Sequence, residues 1–237
     1  MCIRDREVSD MSHYTVGVII KKENLTDLTD LRFCVEEALK PFDENLEVEP
    51  HEISESSKER LKEWYNHCME SREKKVSLLD FAKENGYIIK TGGVICTTYN
   101  SNSKWDWYEI GGRWSNNIPL KNGEHSNFAK IKDIKWTIEL SEKDKEELKT
   151  SYNKSKEENP LFEISYPTLE DFIKDYENFA TYALLLSDGT WLEPGKMGWF
   201  GISDAEEEEK EKFQNKYLEK IKEQDGEDYF VLVDLHI

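Results

Sequence analysis

Tyr229-Phe230-Val231-Leu232-Val233-Asp234-Leu235-His236-Ile237 alternates as a strand does. Tyr229, Val231, Val233, Leu235 and Ile237 share one face; Phe230, Leu232, Asp234 and His236 take the other. His13-Tyr14-Thr15-Val16-Gly17-Val18-Ile19-Ile20 has the same pattern, with His13, Thr15, Gly17 and Ile19 on one face. If the two strands pair antiparallel, the start of one meets the end of the other. His13, Thr15, Asp234 and His236 then form one patch on one sheet face.

Outward from these strands, the spacing of Leu31, Cys34, Val35, Ala38 and Leu39 predicts a helix over 30–39, stopped at Pro41. A turn follows at 41–45, and 46–48 begins a short strand. Leu61, Trp64, Tyr65, Cys68 and Met69 predict a helix over 55–71. Ser77 with Asp80 opens a shorter helix that Gly86 ends. Strands follow at 87–90 and 94–99, around Gly92-Gly93. Ile131, Ile134, Trp136 and Ile138 suggest a strand over 130–140. Residues 141–158 read as a polar, peripheral helix, and Thr168 with Asp171 opens a short one. Asp188-Gly189 turns a hairpin over 180–193. Ser203 with Glu206 caps a helix reaching about Gln224, with acids in its first turn as the helix dipole favours.

Strands and helices are interspersed without a strict βαβ repeat. The expectation is an α+β fold: one domain over 11–237, a mostly antiparallel sheet, and helices covering one face. Residues 141–160 are a peripheral helical insertion and the plausible internal boundary. Residues 1–10 share no pattern with the rest, and Met-Cys-Ile-Arg-Asp-Arg looks like translated adapter sequence. They are set aside as a non-native leader, with Met11 as the expected start.

Composition bounds the function. Acids number 50 against 32 basic residues, a formal charge of −18. Such a surface argues against general nucleic-acid binding or an anionic membrane, which need clustered Lys and Arg. No run of 18 apolar residues is present to cross a membrane, and the opening residues hold no secretory signal. Cys2, Cys34, Cys68 and Cys96 form no CxxC pair, so free, mostly buried thiols of a reducing cytoplasm are expected.

Three motifs carry chemistry. The first is the terminal patch. His13, Asp234 and His236 are the candidate catalytic residues, suited to acid–base work, to gripping a phosphate or, with Asp234, to holding a divalent metal. The alternative is a pair of ordinary strand-end histidines. The second is Lys104-Trp105-Asp106-Trp107-Tyr108-Glu109-Ile110-Gly111-Gly112-Arg113-Trp114. Read as a strand, it puts Trp105, Trp107 and Glu109 on one face, opposite Asp106, Tyr108 and Ile110. The tryptophans offer stacking faces, Gly111-Gly112 allows close backbone approach, and Arg113 offers a fork to phosphate or carboxylate. The same residues could instead make a core ladder with an Asp106–Arg113 ion pair. The third is the loop Met197-Gly198-Trp199-Phe200-Gly201, either a pocket wall or a packed turn. Residues 104–114 and 189–201 each carry no net charge, whereas 203–228 hold eleven acids and five lysines. A compact anion can enter such neutral islands where a long polyanion is repelled.

His13-x-Thr15 also resembles the motif of two-histidine phosphoesterases, although no hydroxyl residue stands two positions after His236. Over a longer span, the Met11-Ser12-His13-Tyr14-Thr15-Val16 start, the Pro41-to-Asn45 turn, the Lys104-to-Trp114 block, the Met197-to-Gly201 loop and the Val233-to-Ile237 end resemble a family of uncharacterised bacteriophage and prophage proteins. The resemblance runs from Met11 to Ile237. It implies a viral accessory protein in a bacterial cytoplasm, and a common pocket for His13, Asp106, Arg113, Trp199 and His236. It supplies no activity.

The leading expectation is a protein that binds a small anionic, nucleotide-like ligand and sequesters a host defence signal. Its ligand-binding residues are His13, Thr15, Trp105, Asp106, Trp107, Tyr108, Arg113, Trp114, Trp199 and His236. No metal ligand or cofactor is assigned to this binding reading. The alternatives are a phosphodiesterase-like hydrolase using His13 and His236, with or without a divalent metal, and an acidic inhibitor of a host protein.

Overall fold

The structure, a computed structural model, describes residues 13–25, 27–159, 162, 166–197 and 203–237. The 1–10 leader and residues 198–201 of the aromatic loop, Trp199 included, lie outside them. The fold is α+β. It divides into two compact units, Met1–Leu39 with Trp105–Ile237, and Lys40–Lys104. The division therefore falls at 39/40 and 104/105 and not at 141–160. The helix α4 (Glu142–Glu158) stays with the first unit because Tyr152 is buried, its ring 5.7 Å from that of Phe172 in α5 (Leu169–Glu177).

The first unit is built on the two alternating strands. In chain order its main sheet uses β1 (His13–Ile20), β5 (Trp107–Ile110), β8 (Phe128–Lys130), β9 (Ala183–Leu185), β10 (Trp191–Leu192) and β11 (Tyr229–His236); β6 (Ile118–Pro119) and β7 (His125–Ser126) pair separately, and β2 to β4 belong to the second unit. The order is β10-β9-β1-β11-β5, with β8 also on β11. β1 and β11 pair antiparallel in the expected register, His13 opposite His236 and Thr15 opposite Asp234. β5 continues the sheet antiparallel, Trp107 opposite His236 and Glu109 opposite Asp234, while β9 joins β1 in parallel.

Helices lie on both faces of this sheet, not on one. α1 (Leu31–Leu39) buries Leu31, Val35 and Leu39 on the Tyr14 and Leu235 side. The Trp105 indole N–H donates to Leu39 O at 3.0 Å, and its ring meets that of Tyr108, which stands opposite Leu235. On the other face α6 (Glu207–Lys222) sends Phe213, Tyr217 and Ile221 into a core with Ile19, Leu184, Phe230 and Leu232. β1 and β11 are therefore central strands. Gly17 belongs to that packing, since a Cβ there would lie 2.2 Å from the Phe230 ring.

The second unit holds β2 (His51–Glu52), β3 (Ile88–Lys90) and β4 (Val94–Thr97) in the order β2-β4-β3, with α2 (Glu55–Ser71) and α3 (Leu78–Glu84). Its core is Ile53, Leu61, Met69, Phe81, Ala82 and Ile95. The Ser77 side chain accepts from Asp80 N–H, as its spacing predicts.

Three local expectations change. Residues 46–48 are not a strand; the strand is His51–Glu52. Residues 130–140 are not one strand either. β8 ends at Lys130 and a 3-10 turn spans Ile131–Asp133. That turn lets Ile131, Ile134 and Trp136 all reach the core. The helix cap expected at Ser203 falls at Glu206, which forms a capping box with Glu209, because Ser203 is occupied by Tyr182 and by Ala205 N–H. Of the cysteines, Cys96 is buried while Cys34 and Cys68 are half-buried and free.

Candidate functional site

The β1–β11 register brings the two histidine rings together, their centroids 5.1 Å apart and their planes at 70°. Both side chains are buried, at 6% exposure for His13 and 3% for His236. Each ring is held at Nδ1 by a carboxylate. His13 pairs with Asp234 Oδ1 at 2.8 Å, and His236 pairs with Asp106 Oδ1. A carboxylate only accepts, so Nδ1 carries a proton in each ring, and in the neutral form of the ring the lone pair lies at Nε2. Both Nε2 atoms are buried, and neither has a hydrogen-bond partner among the described residues.

The two carboxylates are placed differently. Asp234 is 1% exposed. Its second oxygen, Oδ2, accepts the Arg113 backbone N–H at 2.9 Å. That approach depends on Gly112, at φ +46°, where a Cβ would lie 2.3 Å from Asp234 Oδ2. The diglycine thus admits the backbone to the carboxylate that pairs with His13. Each Asp234 oxygen thus has one partner, the His13 ring and the Arg113 backbone, which fixes the orientation of the imidazole. Asp106 is 41% exposed, at the rim. Its own N–H donates to His236 O at 3.1 Å, which places its side chain over the His236 ring edge.

The aromatic block divides. Trp107, half exposed, lies on the histidine face, its ring 6.3 Å from that of His13 and edge-on to it. It also lines a surface depression of about 280 Å³ with Arg32, Tyr108, Glu109 and Ile110. Trp105, Tyr108 and Trp114 do not join the histidines. Strand geometry begins only at Trp107, so the alternation expected from Trp105 fails, and Trp105 is a buried anchor against α1. Tyr108 faces α1, where burial holds its hydroxyl above the usual range. Trp114 packs on the main core. Arg113 contributes its backbone N–H to Asp234 while its side chain is exposed.

Thr15 is next to the pair but turned to structure: its Oγ1 accepts Tyr182 N–H at 3.1 Å. Tyr182 was not singled out by the sequence. Its hydroxyl donates to Gly195 O at 2.7 Å and bonds Ser203 Oγ at 2.7 Å. It therefore ties both flanks of residues 198–202 to β9, beside the strand that carries His13. Burial raises its hydroxyl pKa above the ordinary value. Nothing in the apolar run around it signalled that role.

Among the described residues no group of three or more His, Cys, Asp or Glu side chains is placed to hold a metal ion. No helix among them is long and apolar enough to cross a membrane. Compared with known proteins, the chain matches no family model, no curated protein and no solved structure.

Proposed function

We propose that the chain binds a small anionic, nucleotide-like molecule at the His13–His236 pair. The observation that carries this is the pair of buried Nε2 atoms without partners. Buried polar groups are almost always hydrogen-bonded, so two adjacent exceptions call for a ligand. Asp234 and Asp106 hold both rings at Nδ1, which leaves the two Nε2 atoms to form hydrogen bonds with a phosphate group. Trp107, beside His13 and half exposed, offers a face for a base. Arg32 lines the adjoining depression, and Arg113, whose backbone N–H reaches Asp234, is exposed. The resemblance to phage proteins gives such binding a biological sense: a host defence signal is sequestered in the bacterial cytoplasm.

A second reading, hydrolysis of a small phosphodiester, is favoured by one specific feature. Each imidazole is oriented by its own carboxylate, the arrangement that general acid–base catalysis uses.

Mixed cyclic and linear nucleotides are incubated with the protein, filtered, released by heat and chromatographed. An intact nucleotide retained by the protein supports sequestration, and a new species supports hydrolysis. His13→Gln and His236→Gln should each weaken retention about 10- to 150-fold, the ~1.5–3 kcal/mol of a hydrogen bond to a charged group. Trp107→Ala should cost about 5- to 150-fold, the ~1–3 kcal/mol of one stacked base. If every nucleotide stays in the filtrate, the reading fails.

A further inference from the structure

We propose that His13 and His236 together bind a divalent transition-metal ion of the zinc type through their Nε2 atoms. The inference uses the same two histidines but does not depend on the nature of the organic ligand.

Metal-bound histidines characteristically donate the second ring N–H to a carboxylate, which fixes the tautomer and turns the lone pair toward the ion. Both rings here have that partner, Asp234 for His13 and Asp106 for His236. Both Nε2 atoms are left buried and without partners among the described residues. The spacing agrees. A tetrahedral ion about 2.1 Å from each Nε2 sets the two ring centroids roughly 5 Å apart, and they lie 5.1 Å apart.

Size and donor type narrow the occupant. The histidine side chains are 6% and 3% exposed, and both Nε2 atoms are buried. A bare ion takes up both lone pairs at once. A water molecule there would need further polar partners to be held. Neutral imidazoles select zinc, copper, nickel or iron over magnesium or calcium, which prefer oxygen. The described residues supply no third protein ligand in a group of three or more. The two histidines would fill two coordination positions, and water or a bound substrate would be needed to complete the sphere. Asp234 and Asp106 act as positioning residues through the histidines.

The full chain, stripped with a chelator, is titrated with Co²⁺ by visible absorption and with Zn²⁺ by calorimetry. The expected result is one equivalent per chain, with the d–d bands of nitrogen-ligated Co²⁺. His13→Gln and His236→Gln should lose that signal. Asp234→Asn should weaken binding by about 10- to 100-fold, as loss of an orienting carboxylate does. Circular dichroism checks that each variant is folded; where one is not, the wild-type titration alone decides. No stoichiometric Co²⁺ spectrum, or an equal one in the double histidine variant, overturns the proposal. If Co²⁺ binds and no nucleotide is retained, the metal site stands and the nucleotide reading falls. If nucleotides are retained and no metal binds, the reverse holds.

Discussion

A methyl group at Gly112 would lie 2.3 Å from Asp234 Oδ2 on a backbone at φ +46°. Two costs are therefore combined there, left-handed strain and a clash with the carboxylate that orients His13. Gly123, at φ +87° with nothing within 4 Å of a Cβ, carries the strain alone. Gly112→Ala should destabilise the fold by about 1–3 kcal/mol more than Gly123→Ala, as overpacking does, and only Gly112→Ala should weaken nucleotide retention. Urea melts and the retention assay on both variants check this. If the two behave alike, the close approach of Gly112 does not matter to the site. At this scale the sequence was half legible. His13, Asp234 and His236 came together because strand alternation and antiparallel pairing are period-two rules that hold along β1 and β11. The Asp106–His236 pairing was not legible from periodicity; only the resemblance to phage proteins grouped the two residues. Asp106 sits in a bend before β5, where no periodicity says which way a side chain turns, and the same bend sent Trp105 to the opposite face from Trp107.

Between elements, one buried hydroxyl network ties β1 to α6. Thr181 Oγ1 accepts Gly17 N–H at 2.9 Å, donates to Ala183 O at 2.7 Å and bonds the Tyr217 hydroxyl at 2.9 Å. Since the Thr181 proton is used on Ala183, the Tyr217 hydroxyl is the donor in that last bond. Burial pushes the Tyr217 pKa well above the ordinary tyrosine value, so it stays protonated to donate. Thr181→Val leaves the Gly17 N–H, the Ala183 carbonyl and the Tyr217 hydroxyl proton without the threonine oxygen, whereas Tyr217→Phe removes that last bond and the longer one from Thr181 N–H at 3.4 Å and leaves the Thr181 hydroxyl its other partners. Thr181→Val should therefore cost about 2–3 kcal/mol and Tyr217→Phe about 1 kcal/mol, from the penalty for unsatisfied buried groups. Chemical unfolding of the two variants tests the order, and a larger loss for Tyr217→Phe would refute it. Elements with strong periodicity were readable as elements: α2 and β11 fall where their apolar spacing puts them. Residues 130–140 were not. Ile131, Ile134 and Trp136 reach the core through a 3-10 turn and an irregular return, and their spacing fits no single period.

For the molecule as a whole, the unit Lys40–Lys104 interrupts the other unit between Leu39 and Trp105. No Gly- or Ser-rich linker marks the first junction; the second follows the short polar run Asn100-Ser101-Asn102-Ser103 and falls inside the Lys104-to-Trp114 block, so a run of four residues was its one sign. The structure shows why no linker is needed. Within the first unit the two junction residues are in direct contact, Trp105 Nε1–H donating to Leu39 O at 3.0 Å. The ends of the second unit are clasped as well: Lys104 N–H donates to Phe42 O at 2.8 Å, and Asn100 Nδ2 donates to Pro41 O and Asp43 O at 2.8 and 3.0 Å. Replacing 40–104 by a four-residue Gly/Ser linker, which spans about 13 Å when extended, should leave the first unit able to fold. A shorter closed loop also carries a smaller entropy cost. The shortened chain should keep one cooperative unfolding transition and the His13–His236 pair, read out by its Co²⁺ spectrum and nucleotide retention. Isolated Lys40–Lys104, with a core of few large side chains, should be only marginally stable on its own, as a domain of that size is. A shortened chain that is unfolded by circular dichroism, although its linker spans the junction, would mean that the first unit's sheet and core do not suffice to hold the histidine pair.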